Sequence, residues 1–264
     1  MPRPWRTVDN EVTDEGIMTL LQRGQDDFVM KINHYVLMTS DYSVSEVELG
    51  RRSAEVLAGR RAPRVLVAGL GMGYTLRAAL DVLPAEAQVV VAELNPVVVD
   101  WCRGPLAHLS GRALDDPRVE LRIADVAQVI AGAARGEHTF DAIVLDLYDG
   151  THDANHDSRH PFYGRAALET TRRALTPGGV IAVWTEQCDV RFEERLRRAG
   201  FTAVERHEPG TRGLRHAVNL AYAPGEPTAE VSSPTAASSI PPPAEPAVGR
   251  RPPGRGAGGT RPGR

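Results

Sequence analysis

Short apolar runs recur along the middle of the chain, and most of them are followed by a glycine turn or an acidic residue. Four apolar runs, at positions 65–68, 89–92, 142–145 and 180–184, consist of small or branched residues apart from Trp184, and residues 119–123 alternate in polarity. Such short, continuous apolar runs are typical of strands buried on both faces of a parallel sheet, and helices are predicted between them. The pattern therefore predicts an α/β fold with a mostly parallel sheet.

The pattern changes towards both ends of the chain. Residues 27–32 and 35–39 are predicted to form a β-hairpin. Residues 201–206 and 216–222 are predicted to close the sheet as an antiparallel pair.

The chain divides into four predicted parts. They are a loose N-terminus at residues 1–16, a small β part with a linking helix at residues 17–60, a nucleoside-binding domain at residues 61–223 and a disordered tail at residues 224–264. The tail is rich in Pro, Gly and Arg, so burial of apolar surface cannot offset the entropy of ordering it. Ser43 and Glu46 have the spacing of a capping box at the start of the linking helix.

Three glycines, Gly69, Gly71 and Gly73, follow the first predicted strand at alternate positions. Glycine lets the backbone turn sharply and lets a ligand approach where a Cβ would collide, so this strand-to-helix turn is predicted to bind a nucleotide. A dinucleotide site prefers a small residue where this chain has Tyr74, which favours a nucleoside ligand without a pyrophosphate.

Acidic side chains follow the next predicted strands. Glu93 lies about 20 residues after Gly73, the offset at which a carboxylate accepts hydrogen bonds from ribose hydroxyls. Asp125 follows the third strand, where it is placed to receive an adenine amino group, and Asp146 follows the fourth. Because the carboxyl ends of parallel strands meet at one edge of a sheet, we predict a single ligand site there.

The charge and composition of the chain restrict the classes of partner that it is expected to bind. The net charge is −3, and the tail is basic, so the body of the chain is more acidic than the whole. An acidic body argues against nucleic acid as the main partner. Cys102 and Cys188 show no metal-type pairing, and no apolar run reaches the length of a membrane span. We therefore expect a cytoplasmic protein that acts on a small molecule, without a metal and without membrane contact.

Five motifs taken together are specific for one superfamily. They are Gly69-Leu-Gly-Met-Gly-Tyr-Thr-Leu-Arg77, Glu93-Leu-Asn-Pro96, Asp116-Pro-Arg-Val119 with Asp125, the segment 140–149 and Leu175-Thr-Pro-Gly-Gly179. From about residue 28 to residue 222 the chain resembles the spermidine synthase-like branch of the class I S-adenosylmethionine-dependent methyltransferase superfamily. The resemblance implies a Rossmann-like seven-stranded methyltransferase sheet, mostly parallel, with a small N-terminal β-hairpin part. In relatives such a part often mediates a homodimer.

The resemblance also implies a ligand and its contacts. The ligand is S-adenosylmethionine or its decarboxylated form. The residues implied to bind it are Gly69, Gly71, Gly73, Glu93, Asp125 and Val126. Asp146 and Asp149 match the family's catalytic pair, which steadies a cationic amine and takes its proton. From the residues alone, loop capping by Asp146 and turn formation by Asp149 stay open as alternatives.

Several positions depart from the pattern of the members that transfer an aminopropyl group. Met72 stands where those members carry an Asp that binds the amine of the decarboxylated donor. Val44 and Ser45 replace the Tyr-His of their linking helix, and Gly150 replaces a Pro. Each loss removes a group aimed at an ammonium, and an unpartnered buried ammonium costs about 1–3 kcal/mol or more.

These departures favour methyl transfer from intact S-adenosylmethionine to a small-molecule or peptide acceptor. Aminopropyl transfer to a di- or polyamine is the alternative. A non-catalytic nucleoside-binding protein is a third interpretation.

Two further features of the sequence are ambiguous. His152, His156 and His160 are spaced by four, as in a helical metal site, but Asn, Ser and Pro in the same segment weaken a helix and favour a loop over the ligand. Trp184 lies at the carboxyl end of the fifth predicted strand, where it either walls the acceptor pocket or packs in the core at the edge of the sheet.

Overall fold

The computed structural model describes residues 3–148, 159–209 and 216–226. The described residues all belong to one compact unit. Of the predicted disordered tail at residues 224–264, only residues up to 226 are described. None of the described helices is both long enough and apolar enough to span a membrane.

The N-terminal part is a four-stranded antiparallel sheet in which each strand pairs with the next along the chain. Its strands are β1 (Arg6–Thr13), β2 (Gly16–Arg23), β3 (Asp27–Ile32) and β4 (Tyr35–Thr39). The predicted hairpin is therefore confirmed as β3 and β4, and it is half of a larger sheet.

The prediction of a loose N-terminus at residues 1–16 is wrong, because β1 pairs with β2 along its whole length. The indole Nε1 of Trp101 also donates a hydrogen bond of 2.7 Å to Asp9 in β1. Most side chains of β1 are exposed, so this edge strand carries no apolar alternation that a sequence pattern could detect.

The second sheet has seven strands in the order β10-β11-β9-β8-β5-β6-β7. The strands are β5 (Arg64–Ala68), β6 (Gln88–Glu93), β7 (Val119–Ile123), β8 (Phe140–Leu145), β9 (Leu175–Thr185), β10 (Thr202–His207) and β11 (Ala217–Tyr222). Strands β5 to β9 are parallel, and β11 and β10 close the sheet as an antiparallel pair. The predicted Rossmann-like, mostly parallel seven-stranded sheet is confirmed.

Helices cover both faces of this sheet. They are α1 (Val44–Glu55), α2 (Tyr74–Val82), α3 (Pro96–Arg103), α4 (Val126–Ala134), α5 (Arg165–Ala174) and α6 (Val190–Arg198). Val65 and Val67 of β5 belong to the core cluster that includes residues of α1, α2, α3 and the N-terminal sheet. Leu66 and Ala68 belong to the cluster formed with α4, α5 and α6. Because successive side chains of β5 point to opposite faces of the sheet, the core has two layers, one on each face.

Helix α1 packs closely against α2 at Gly50. A Cβ at this position would collide with the main-chain oxygen of Thr75 in α2. This contact holds the first turn of α2 against α1, and α1 contributes the side chain of Glu46 to the cavity described below.

Replacing Gly50 by Ala is expected to lower the free energy of unfolding by about 1–3 kcal/mol, because the added methyl group pushes α1 away from α2. Gly132→Ala in α4 is the matched control, since its Cβ would meet only the end of the flexible Glu137 side chain. In a helix, alanine is otherwise favoured over glycine by about 0.5–1 kcal/mol. Urea denaturation measures both changes, and a Gly50→Ala protein as stable as the parent would contradict the close contact.

Candidate active site

The carboxyl ends of the central parallel strands open onto a cavity of about 280 Å³. The residues that follow β5, β6, β7 and β8 form its floor, and the N-terminal sheet adds a wall that includes Met18, Met30 and Met38. This is the edge at which open α/β sheets bind ligands.

The glycine turn after β5 has a left-handed backbone at all three glycines. The φ angles of Gly69, Gly71 and Gly73 are 85°, 51° and 82°. A Cβ at Gly69 would collide with the main-chain oxygen of Asp146, and one at Gly71 would lie 2.9 Å from Sδ of Met38. Gly69 and Gly71 line the cavity, whereas Gly73 is the N-cap of α2. The glycines are therefore required by the packing of the turn, and two of them also leave room for a ligand.

Glu93 is the last residue of β6, and its carboxylate is fixed by the main chain. One oxygen accepts a hydrogen bond of 2.9 Å from the N–H of Leu70, and the other accepts one of 2.9 Å from the N–H of Asn95. Burial raises the pKa of the Glu93 carboxyl above its usual value, and these hydrogen bonds oppose the rise. Each carboxylate oxygen keeps a second lone pair, so Glu93 can still accept a hydrogen bond from a ligand in the cavity.

Asp125 and Val126 lie at the start of α4, and both line the cavity. The Oδ1 atom of Asp125 accepts a hydrogen bond of 2.8 Å from the N–H of Ala127 and thereby caps the helix. The cap orients the carboxylate at the end of β7. Binding of an adenine at these residues stays a prediction.

Asp146 directly follows β8 and faces the cavity. Its Oδ2 atom accepts a hydrogen bond of 2.6 Å from the hydroxyl of Thr75. Burial raises the pKa of the Asp146 carboxyl to about 7, the charge of Glu46 adds to the rise, and the Thr75 hydrogen bond opposes it. An acid with a pKa near neutrality can both take up and release a proton under physiological conditions.

Glu46 of α1 also lines the cavity and is buried. The predicted capping box is wrong, because Ser43 is the N-cap of α1 but makes no side-chain capping hydrogen bond. The Oε2 atom of Glu46 instead accepts a hydrogen bond of 2.7 Å from the hydroxyl of Ser45. The charge of Glu46 also acts on Asp146, whose pKa it raises.

The N-terminal sheet supplies cavity residues that sequence reasoning missed. Met18 and Met30 occupy buried positions on β2 and β3, and Met38 on β4 accepts a hydrogen bond of 3.2 Å from the N–H of Met72. Glu15, in the turn between β1 and β2, accepts one of 2.7 Å from the side-chain amide of Asn95. No local signal marks these residues, because they meet the glycine turn only through the tertiary fold.

Trp184 lines the cavity and also packs against the core, so the two predicted roles are not exclusive. Its indole packs edge-on against the imidazole of His216, with ring centroids 5.0 Å apart.

Asp149 lies outside the described residues, as do His152 and His156. His160 is described, and its Nδ1 accepts hydrogen bonds from the N–H groups of Phe162 and Tyr163 while its ring stacks on Tyr163. Across the part of the chain that the structure describes, no group of three or more His, Cys, Asp or Glu side chains is arranged to hold a metal ion.

Residues 53–196 match the family described as Spermine/spermidine synthase domain. The chain belongs to this family.

Two relatives of this spermine/spermidine synthase domain are polyamine aminopropyltransferases. The one from Mycobacterium tuberculosis (strain CDC 1551 / Oshkosh) is 34% identical over 150 residues, which cover 54% of this chain and 28% of that protein. The one from Hamiltonella defensa subsp. Acyrthosiphon pisum (strain 5AT) is 28% identical over 166 residues, which cover 63% of this chain and 54% of that protein. The chain therefore spans from about a quarter to about half of the length of these curated relatives.

The spermidine synthase from Thermotoga maritima has a similar structure, with a TM-score of 0.68 and 19% sequence identity. The superposition covers 86% of this chain and 83% of that one, so the two share a fold.

The expectation of methyl transfer is wrong, because the matching family and the relatives are aminopropyltransferases. The expectation rested on lost ammonium contacts at positions such as Met72. In the structure Met72 is fully buried in the core, while Asp146 and Glu46 keep two carboxylates on the cavity wall. The departures at Met72, Val44, Ser45 and Gly150 therefore do not outweigh the two carboxylates that remain.

The raised pKa of Asp146 predicts how the free energy of unfolding depends on pH. The folded protein binds this proton more tightly than the unfolded chain, so the stabilisation is complete below the unfolded pKa of about 4 and is lost as the pH rises through about 7. Asp146→Asn cannot ionise, and its free energy of unfolding relative to the parent should therefore rise by about 2–4 kcal/mol over this interval.

Urea denaturation at a series of pH values measures this difference. Asp115→Asn, at an exposed side chain, is the control and should show no such rise. A difference between Asp146→Asn and the parent that does not change with pH would contradict the buried, proton-holding carboxyl.

Proposed function

We propose that this chain transfers an aminopropyl group from decarboxylated S-adenosylmethionine to an amine of a di- or polyamine. The observation that carries the proposal is the pairing of Asp146, whose pKa is raised to about 7, with the buried Glu46 on one cavity wall. The family and the printed activities of the relatives supply the reaction class.

The floor of the cavity fits the nucleoside of such a donor. Gly69 and Gly71 line the cavity without a side chain, Glu93 offers carboxylate lone pairs at a fixed position, and the cavity extends to Asp125 and Val126. In the proposal Glu93 binds the ribose hydroxyls, and Asp125 with Val126 binds the adenine.

When bound, the donor supplies a sulfonium whose adjacent carbon is open to attack and whose sulfur leaves as a neutral thioether. The chain's own part is to hold an amine in line and to manage its proton. The negative charges of Asp146 and Glu46 attract the acceptor ammonium. Asp146 then takes a proton from it, which leaves the nitrogen lone pair free to attack.

A carboxyl with an ordinary pKa would be a weak base for this step. Burial raises the pKa of Asp146 and so brings it closer to the pKa of the acceptor ammonium. The Thr75 hydrogen bond fixes the carboxylate in one orientation. The apolar wall formed by Met18, Met30 and Met38 limits water around the reacting atoms, which strengthens the attraction between the carboxylates and the ammonium.

Asp146→Asn is expected to reduce turnover at least about 100-fold while leaving donor affinity within about tenfold, or ~1.4 kcal/mol. The assay mixes the full chain with the decarboxylated donor and either 1,4-diaminobutane or spermidine, and mass spectrometry detects the aminopropylated amine.

Glu93→Gln is expected to weaken the binding of the donor, because the proposal has Glu93 bind the ribose hydroxyls. Calorimetry measures this change in affinity.

Asp115→Asn is the control for the turnover measurement, and intact S-adenosylmethionine is the control donor. An Asp146→Asn protein with normal turnover would remove Asp146 from the mechanism. A parent protein that forms no aminopropylated product, or that methylates the amine instead, would overturn the proposed function.

A further inference from the structure

A chain of two hydrogen bonds leads away from the cavity through Ser45. The hydroxyl of Ser45 lies 2.7 Å from Oε2 of Glu46 and 2.9 Å from Nδ1 of His216. A serine hydroxyl is one donor and two acceptors, so it can receive a proton from one neighbour while it gives its own proton to the other. The buried carboxylate is thereby connected to an imidazole that is only half-buried.

The imidazole of His216 is held by aromatic rings on two sides. Tyr42 contacts it edge-on with ring centroids 5.8 Å apart, and Trp184 does so from β9 at 5.0 Å. These rings restrict the orientation of the imidazole and keep its Nδ1 atom directed at Ser45.

The charged and titratable groups that face His216 are Glu46 on α1, Glu186 after β9 and the phenol of Tyr42. Burial lowers the pKa of His216 below its usual value, and the charges of Glu46 and Glu186 oppose this change. The imidazole is therefore neutral at physiological pH and can accept a proton at Nδ1 in the Nε2–H tautomer.

The acidic pair needs such an exit for protons. Each turnover in the proposed reaction leaves one proton on the carboxylates of Asp146 and Glu46. Glu46 is buried, and burial stabilises the protonated form of Asp146. A proton that stays on the pair removes the negative charge that attracts the next acceptor ammonium.

We propose that Ser45 and His216 form the outlet through which the proton of the acceptor amine passes from Glu46 to solvent. The proposal rests on the proposed aminopropyl transfer. In the proposal the proton first passes from Asp146 to Glu46 across the cavity that both side chains line. It then moves from Glu46 Oε2 to Ser45 Oγ, and the hydroxyl proton of Ser45 moves to Nδ1 of His216. The imidazolium then releases its Nε2 proton to water. Proton exchange with water moves the remaining proton of the imidazole from Nδ1 back to Nε2, which restores the starting tautomer. His216 acts through Ser45 and Glu46 and does not touch the substrate.

His216→Ala is expected to lower kcat by about tenfold or more while leaving KM for donor and amine within about threefold. In the parent, the rate should fall at acidic pH as Asp146 and then His216 become protonated; His216→Ala should lose the His216 part of this acidic limb and keep the Asp146 part, so that the limb becomes shallower. Imidazole added to the buffer should restore part of the lost rate. Ser45→Ala should show a similar loss, and the double variant should lose no more than either single variant.

His138→Gln, at an exposed position before β8, is the matched control and should keep the rate and pH profile of the parent. His216→Gln keeps a polar side chain of similar size and is the second variant should His216→Ala fail to fold. A His216 variant with the parent's rate and acidic limb would overturn the outlet. A rate loss that imidazole does not restore and that comes with an unchanged pH profile would also overturn it.

The parent protein assayed in parallel separates the two proposals. A parent without aminopropyl transfer overturns both the proposed function and the outlet. A parent with aminopropyl transfer and a His216→Ala variant with unchanged behaviour overturns the outlet alone.

Discussion

The hydroxyl of Thr75 is the contact on which the site depends. It lies 2.6 Å from Oδ2 of Asp146 and 3.2 Å from the main-chain oxygen of Glu46, so one side chain of α2 connects the end of β8 with the first turn of α1. Gly50 permits this arrangement, because only a glycine lets α1 approach the main chain of Thr75. The separation of the two carboxylates that define the cavity is therefore set by helix packing.

This packing has an electrostatic consequence. Glu46 and Asp146 are brought into a poorly solvated space, and the pKa of Asp146 rises as a result of burial and of the negative charge of Glu46. Glu93 is buried in the same cavity but receives two main-chain hydrogen bonds that favour its ionised form. Carboxylates in one cavity are thus suited to different tasks, one to proton transfer and one to the binding of hydroxyl groups.

Residues of both sheets line the cavity, and the N-terminal sheet supplies one of its walls. Met38 contacts the glycine turn through the N–H of Met72, and Glu15 contacts Asn95 after β6. These contacts tie the wall of the cavity to its floor. The imidazole of His216 approaches from the opposite edge, beside β9, and meets α1 at Ser45. Ser45 is a departure from the family pattern in sequence, yet in the structure it is the hydrogen-bonding link between two ionisable groups.

The sequence by itself determined the parallel strands, the glycine turn and the acidic residues at the strand ends, because each of these is a local pattern of apolar period and residue type. The same patterns identified the family, although the departures at single positions led to the wrong transferred group. Only the tertiary structure decided that β1 joins the N-terminal sheet, that Glu46 lies in the cavity and does not cap α1, and that His216 reaches Ser45 across 171 residues of chain. Such contacts join residues far apart in sequence, and they follow from how the helices and sheets pack, which no local pattern encodes.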